Sequence, residues 1–405
     1  MSDMVEPTAS DFDRLLEPYL VRQQSGLGFA IGYASPGFTP PGNLYFAGSL
    51  QDQFGARLSL DGSTLFEVAS ISKTFTATLY ALLIRSISQS KTVGDYITPN
   101  GPLHISSKLA HILLDSLANY TSGLPDDSDN GSVDTPPYWP QPYSLAAMLS
   151  YLEASPPVIH DPGKQYTYSN LAFALLAAIL SGDPPSIPTF ASLVQSKIFA
   201  PLDMKAAFFD DVSLRQLPLG YDYNYESSPV FTAAAPGFDL LPAYYGASAV
   251  VASPADMLQW LLFNMGVQQN ATLTSLLPVL QAPSTSVDFS CESGKYELGF
   301  GWFIFTPTSS KFSASINKLG ALGGFDSCMA FLPSTGTPGL EPSQAGVFVL
   351  VNADGLTKNQ ANGGPFLPWA LANDILLLMQ GMTPPEDKSA YPRAPVARPR
   401  RRVVR

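Results

Sequence analysis

Three places in this 405-residue chain put a lysine three residues after a serine: Ser70/Lys73, Ser88/Lys91 and Ser315/Lys318. A serine hydroxyl is a poor nucleophile until a neighbouring base takes its proton, and a desolvated lysine with a lowered pKa is such a base. The spacing serves that chemistry on a helix, where residues three apart share a face. On a strand the two side chains point to opposite faces. Ser88/Lys91 falls in RSISQSKTVGD, a polar helix end, and reads as solvated surface. Ser315/Lys318 leads into a glycine-rich, strand-like stretch. Ser70/Lys73 alone opens a long apolar run, TLFEVASISKTFTATLYALLI over 64–84, where a buried lysine without a task is costly. The first-turn amides and dipole of that helix also favour negative charge beside Ser70. Taken alone, the pair still admits a plain alternative, a capping serine beside a surface lysine.

Two further clusters follow. PGKQYTYSNLAFALLAAIL brings Tyr168, Ser169 and Asn170 to the entrance of another apolar helix, and NKLGALGGFDSCMAFLP opens with Lys318, Leu319 and Gly320. Singly, Tyr168 reads as a half-buried core tyrosine, Asn170 as a helix cap and Gly320 as a strand glycine. Together and in order, Ser-x-x-Lys, Tyr-x-Asn and Lys-x-Gly resemble the serine penicillin-recognising enzymes: class C β-lactamases, D-alanyl-D-alanine peptidases and related serine esterases. NYTSGLPDD (119–127) is similar to that family's HTSGLP loop, and ASPADMLQW (252–260) to its S-x-x-D-M-x-x-W helix start. The similarity spans roughly residues 26–380.

The resemblance implies an α/β (α+β) fold of the β-lactamase/transpeptidase type. In it an antiparallel sheet flanked by terminal helices carries an inserted, mostly helical domain, with the site between them. It makes Ser70 the acylated nucleophile and has Lys73 and Tyr168 manage its proton, without deciding which is the base. The nearby cations Lys73 and Lys318 would lower the Tyr168 pKa, since they stabilise phenolate. Backbone N–H groups of Ser70 and Ala321 would form the oxyanion hole, worth ~3 kcal/mol per donor. Asn170, Lys318, Leu319 and Gly320 would contact substrate. The chain departs from the family where penicillin-acting members carry Thr or Ser between the lysine and glycine of the third motif: here it is Leu319, which cannot donate to a substrate carboxylate. Ser248 falls where class C enzymes keep an aromatic wall. Both changes point to small or apolar acyl esters. Asp326, in GGFDS, reads as a turn residue rather than a substrate-amine contact.

These residues need elements to hold them. An amphipathic helix over 9–23, capped by Ser10 with Asp13 three on, precedes short alternating segments with Gly and Pro turns. GLGFAIG among them is not a dinucleotide fingerprint, because a helix precedes it and strands follow. From 65 to about 290 the chain reads as mainly helical, at 70–86, 143–154, 169–181, 190–198 and 254–266, the last capped by Ser253 with Pro254 in its first turn. Strands return in ELGFGWFIF, FSASINKL, SCMAFLP and AGVFVLVN, and a closing helix, PWALANDILLLMQ, stops at Gly381. The domain expectation is a sheet-bearing half from 1–64 plus 291–382, an inserted helical half at 65–290, and a disordered basic Pro/Arg tail at 383–405.

Composition narrows the function. Hydrophobic residues make up 45% and charged residues 14%, as in a packed globular protein. No apolar run reaches transmembrane length, so stable membrane insertion is not expected. Cys291 and Cys328 make no disulfide framework, and His104, His111 and His160 lack metal spacing, so neither metal nor cofactor is expected. The net charge is −11, and residues 391–405 hold six arginines and no acid, leaving −17 on the rest. So acidic a body is a poor nucleic-acid binder. The opening residues show no basic stretch followed by an apolar one, so no export signal is expected there, although the family commonly acts outside the cytoplasm. The expected partner is a small-molecule ester or amide. The leading reading is a serine carboxylesterase. A β-lactamase or D-amino-acid peptidase, and a non-catalytic binding protein of the same fold, remain the alternatives.

Overall fold

The computed structural model of the chain describes residues 3–20, 26–97, 105–128, 143–154, 158–182, 185–208, 211–224, 230–233, 242–291, 293–356, 366–386 and 391. Eight strands form one sheet: β1 Gly28–Ala34, β2 Gly42–Gly48, β3 Asp288–Cys291, β4 Gly294–Leu298, β5 Phe303–Pro307, β6 Ser315–Leu322, β7 Phe325–Phe331 and β8 Gly346–Val351. Their spatial order is β3-β4-β5-β6-β7-β8-β1-β2, and every neighbouring pair is antiparallel. The N-terminal hairpin therefore closes the sheet against its last strand, β8, and everything between β2 and β3 is inserted.

β1, β7 and β8 are buried along their whole length. Strands covered on both faces read as continuous apolar runs, as GVFVLV does. On one face Phe12, from helix Ala9–Leu20, packs on Tyr33 and stacks on Tyr45 at 4.6 Å. Helix Pro254–Asn264 crosses the other face, where Leu258 meets Gly42. The closing helix Leu367–Met379 packs on β7 and β8.

The first helix is capped by Thr8, not Ser10: Thr8 Oγ1 and N donate to Asp11 at 2.7 and 2.9 Å, and Asp11 N donates back to Thr8 Oγ1. The helix thus starts at Ala9, where it is expected, and only its cap lies two residues ahead of Ser10. Ser253 caps its helix as expected, in a box with Asp256. Asp326 lies within β7, 1% exposed, while Gly324 (φ +83°) takes the turn, so the expectation of a turn residue does not hold. In register it opposes Ala321, on the sheet face away from Gly320. Tyr391, the first residue of the Arg-rich stretch, is buried, edge-on to Phe312 and Trp369 and hydrogen-bonded to Asp374. Residues 387–390 and 392–405 of the expected tail lie outside the described residues, as do residues 129–142 of the Pro- and Asp-rich loop and His104.

Candidate active site

The segment before Ser70 is pinned from two sides. Phe66–Glu67 pairs antiparallel with Val250–Ala252, and Val68 N donates to Val250 O at 3.1 Å. Ser327 on β7 donates its hydroxyl to Val68 O at 2.9 Å. The chain then turns through Ala69 at φ +48°, a left-handed conformation that costs a non-glycine residue energy and is held by these contacts. Ser70 sits in the tight turn Ala69–Ile71 that opens helix Ser72–Tyr80 and runs on through Ala81–Arg85. Every residue of Ser72–Tyr80 is buried, Lys73 included.

The helix that follows Ser70 is packed against Asn170–Leu180 and the short helix Tyr245–Ser248. Gly246 permits the approach: a Cβ there would lie 2.4 Å from Ala177 Cβ and 2.7 Å from Phe173 O. Ser169 caps Asn170–Leu180, accepting from Ala172 N at 2.9 Å and donating to Pro125 O at 2.6 Å. Capping therefore does not consume Asn170, and its amide points at Lys73.

At the centre, Lys73 Nζ lies 3.0 Å from Ser70 Oγ, and Tyr168 OH donates to the same oxygen at 2.8 Å. Lys73 Nζ donates to Asn170 Oδ1 at 2.6 Å and to Ala247 O at 2.9 Å. Lys318 Nζ is 3.5 Å from Tyr168 OH. The two lysines bracket the Tyr168 ring, at 4.9 and 5.0 Å from its centroid. Lys318 also faces Phe303 at 5.2 Å and Tyr120 at 5.6 Å.

Both ammonium groups are out of water, which disfavours charge. Burial pulls the Lys73 pKa down to about 7, against the pull of the Asp126 and Asp127 carboxylates, which hold it up. Burial also drives Lys318 well below its ordinary value, helped by the Lys73 charge. Tyr168 departs from expectation. Burial raises its pKa, and Asp126 and Asp127 raise it further, while the Ser70 contact only partly opposes them. Desolvating a phenolate costs more here than two lysines of depressed basicity return. Tyr168 is therefore a neutral phenol that donates to Ser70, and Lys73 is the group able to take a proton near neutral pH.

Strand β6 supplies the far wall. A Cβ on Gly320 would fall 2.3 Å from Ser327 Oγ and 2.5 Å from Val68 O, so only glycine lets the strand lie against the segment that carries Ser70. Ala321 follows it, half-buried, one residue beyond this contact. The alternation that turns Lys318 and Gly320 toward Ser70 turns Leu319 away; Leu319 is fully buried opposite Cys328 and offers no surface to the cleft. Ser248 ends the short helix beside Ala247, half-buried.

Tyr120 and Asp126 belong to this cluster although the motifs alone assign them no role. Tyr120, at φ +64°, stacks on Tyr168 at 5.7 Å and on Phe303 at 4.8 Å, and donates to Gly301 O at 2.8 Å. Asp126 Oδ1 accepts from Asn170 Nδ2 at 3.2 Å. Both lie in NYTSGLPDD, so the loop's similarity was the available signal.

Comparison with known proteins agrees with the geometry. Residues 42–366 match the family described as Beta-lactamase. The chain is 26% identical over 383 residues to a β-lactamase of Pseudomonas fluorescens, covering 84% of this chain and 92% of that protein. It is 27% identical over 374 residues to the D-alanyl-D-alanine-carboxypeptidase/endopeptidase AmpH of Escherichia coli (strain K12), covering 87% of this chain and 82% of that protein. The fold is similar to the crystal structure of a β-lactamase/D-alanine carboxypeptidase from Yersinia pestis, with TM-score 0.66 and 22% identity over 92% of this chain and all of that one (100%). With the family matched over most of its length and the three motifs gathered around one serine, the chain belongs to the Beta-lactamase family of serine hydrolases.

Proposed function

We propose that this protein is a carboxylesterase that works through an acyl-enzyme on Ser70. The observation that carries the reading is the buried Ser70 hydroxyl held between the Tyr168 phenol at 2.8 Å and the Lys73 amine at 3.0 Å. Ser70 Oγ attacks the ester carbonyl carbon as its proton passes to neutral Lys73. The N–H groups of Ser70 and Ala321 hold the oxyanion. As the tetrahedral intermediate collapses, the carbon–oxygen bond to the alcohol breaks and the departing alkoxide takes a proton from the Tyr168 hydroxyl, which regains one from the Lys73 ammonium. Water then attacks the acyl carbonyl as Lys73 takes its proton, and when the bond between the acyl carbon and Ser70 Oγ breaks, the Lys73 ammonium returns that proton to Oγ, releasing the acid and restoring Ser70 and neutral Lys73. Lys73 and Tyr168 are the proton-handling pair, and Asn170, Lys318 and Gly320 shape the substrate side.

Two features favour neutral esters over penicillins. The Leu319 position presents no hydroxyl for a substrate carboxylate, being fully buried. Asp126 and Asp127 act electrostatically on both Lys73 and Tyr168, which makes the site unfavourable for an anion. A second reading, hydrolysis of β-lactams or D-alanyl peptides, is favoured by the names of the relatives above.

Intact-mass and kinetic measurements with p-nitrophenyl acetate, a penicillin and a D-alanyl-D-alanine peptide separate the two. Ester turnover that rises as pH passes upward through about 7, where Lys73 loses its proton, is expected. A stable penicilloyl adduct with no ester turnover would overturn the esterase choice.

A further inference from the structure

A neutral lysine amine has two N–H bonds and one lone pair. Lys73 spends its N–H groups on Asn170 Oδ1 at 2.6 Å and Ala247 O at 2.9 Å, which leaves the lone pair for the Ser70 proton. This works only while Asn170 presents oxygen. An amide turned by 180° would present NH₂ to Lys73, occupy the lone pair and take it away from Ser70. Something must choose the orientation, and the oxygen and nitrogen ends of an amide differ little in size.

We propose that Asp126 is a positioning residue for acylation: its carboxylate selects which end of the Asn170 amide faces Lys73, and so leaves the Lys73 lone pair to the Ser70 proton. The inference rests on the acyl-enzyme reading of Ser70. A carboxylate only accepts, so Asp126 Oδ1 draws the Asn170 Nδ2 end at 3.2 Å and forces Oδ1 toward Lys73. Asp126 is itself held to the start of that helix, because Leu171 N donates to Asp126 O at 2.9 Å and Asn170 N donates to its Oδ1 at 3.4 Å. Its neighbour Pro125 accepts from the capping Ser169 hydroxyl at 2.6 Å. Loop and helix end thus move as one piece.

Among the described residues, the titratable groups that bear on Lys73 are Asp126 and Asp127 from this loop, Tyr168 from the approach to Asn170–Leu180, and Lys318 from β6. The short helix Tyr245–Ser248 contributes the Ala247 carbonyl. The two carboxylates raise the Lys73 pKa, Asp126 more than Asp127. Loss of the Asp126 charge therefore lowers it, and the acid limb of activity moves to lower pH.

The test is the rate of Ser70 labelling by a fluorophosphonate probe, measured from pH 5 to 9 on wild type, Asp126→Asn and Asp126→Glu. Asp126→Asn, which can present either amide end, is expected to label about tenfold or more slowly on the plateau. Its acid limb should lie lower by about half a pH unit or more. Asp126→Glu should restore most of the rate and the position of the limb. Wild-type rate and an unmoved limb in Asp126→Asn would overturn the proposal, and so would a slower rate with the limb unmoved, which marks a merely structural role. Should Asp126→Asn fail to fold, Asp126→Ser carries the same expectations. Failure of wild type to label would instead refute the acyl-enzyme reading. In that case the pKa of Lys73, followed by NMR of ¹⁵N-lysine protein, still decides on Asp126: it must fall in Asp126→Asn.

Discussion

Ser70/Lys73 and Ser88/Lys91 have the same spacing and opposite fates. Lys73 is fully buried, and its partners are a serine, an asparagine and a backbone carbonyl. Lys91 is partly exposed, its amine 3.7 Å from Asp95, and the Ser88 hydroxyl lies 3.4 Å from that of Ser90. A partly hydrated lysine beside an acid gains little from the pair. One enclosed by Tyr168, Phe173 and Ser70 loses basicity because its charged form has lost water. The third pair makes the same point on a strand: Ser315 bonds Asn317 Nδ2 at 3.0 Å, while Lys318 turns to the other face and reaches Tyr168. Reactivity here belongs to enclosure, not to spacing.

The contrast can be broken by mutation. Lys73→Ala should lower ester turnover at least a hundredfold, since loss of a proton-transfer partner costs ~10²–10⁴ in rate. Tyr168→Phe removes only a hydroxyl and should lose a similar factor. The double variant should be scarcely worse than either single, because groups that act as a unit are non-additive. Steady-state kinetics with melting curves checks all three. Near-normal turnover in Lys73→Ala would erase the distinction between the two pairs.

Gly320→Ala should come next. Its methyl group would meet Ser327 Oγ and the Val68 carbonyl, so β6 must back away from the Ser70 segment. Overpacking of this kind costs ~1–3 kcal/mol. Denaturant unfolding should register that loss, and turnover should fall by more than the folded fraction explains. A variant with wild-type stability and rate would mean that the strand's closeness to Ser70 is not needed.

The smallest effect belongs to Lys91→Ala. Exposed pairs such as Lys91–Asp95 are worth ~0–1 kcal/mol. Its kinetics should match wild type, and its melting midpoint should move by a few degrees at most. A tenfold rate loss would show that spacing alone carries more than the comparison allows.

Much of this was legible beforehand because it rests on local pattern. The apolar run of β8, the Ser253 cap and the glycine of Lys-x-Gly each announce their element through nearest neighbours in the chain, whereas GFAIGYA reads as alternating and is buried along its whole length as β1. The cap of the first helix was misplaced because Thr8/Asp11 and Ser10/Asp13 offer the same signature, and only the fold of the chain selects one. Leu319 was correctly read as lacking a hydroxyl, but its direction depends on strand register. Asp326 looked like a turn residue because Gly323 and Gly324 stand just before it, and the register of β6 with β7 takes it into the strand instead.

The sequence by itself determined the kinds of group available: a serine and a lysine on one helical face, a tyrosine and an asparagine at a helix entrance, and a glycine where two backbones meet. Those follow from side-chain chemistry and helical or strand period, which are properties of short stretches. Tertiary structure decided how acidic each group is. Tyr168 was expected to be made acidic by two cations and is instead held neutral, because burial penalises its phenolate and weakens both lysines at once. Desolvation depends on what closes over a group from distant parts of the chain: Asp126, Asn170, Ala247 and Lys318 converge on Lys73 from four separate segments, and no local pattern contains their sum.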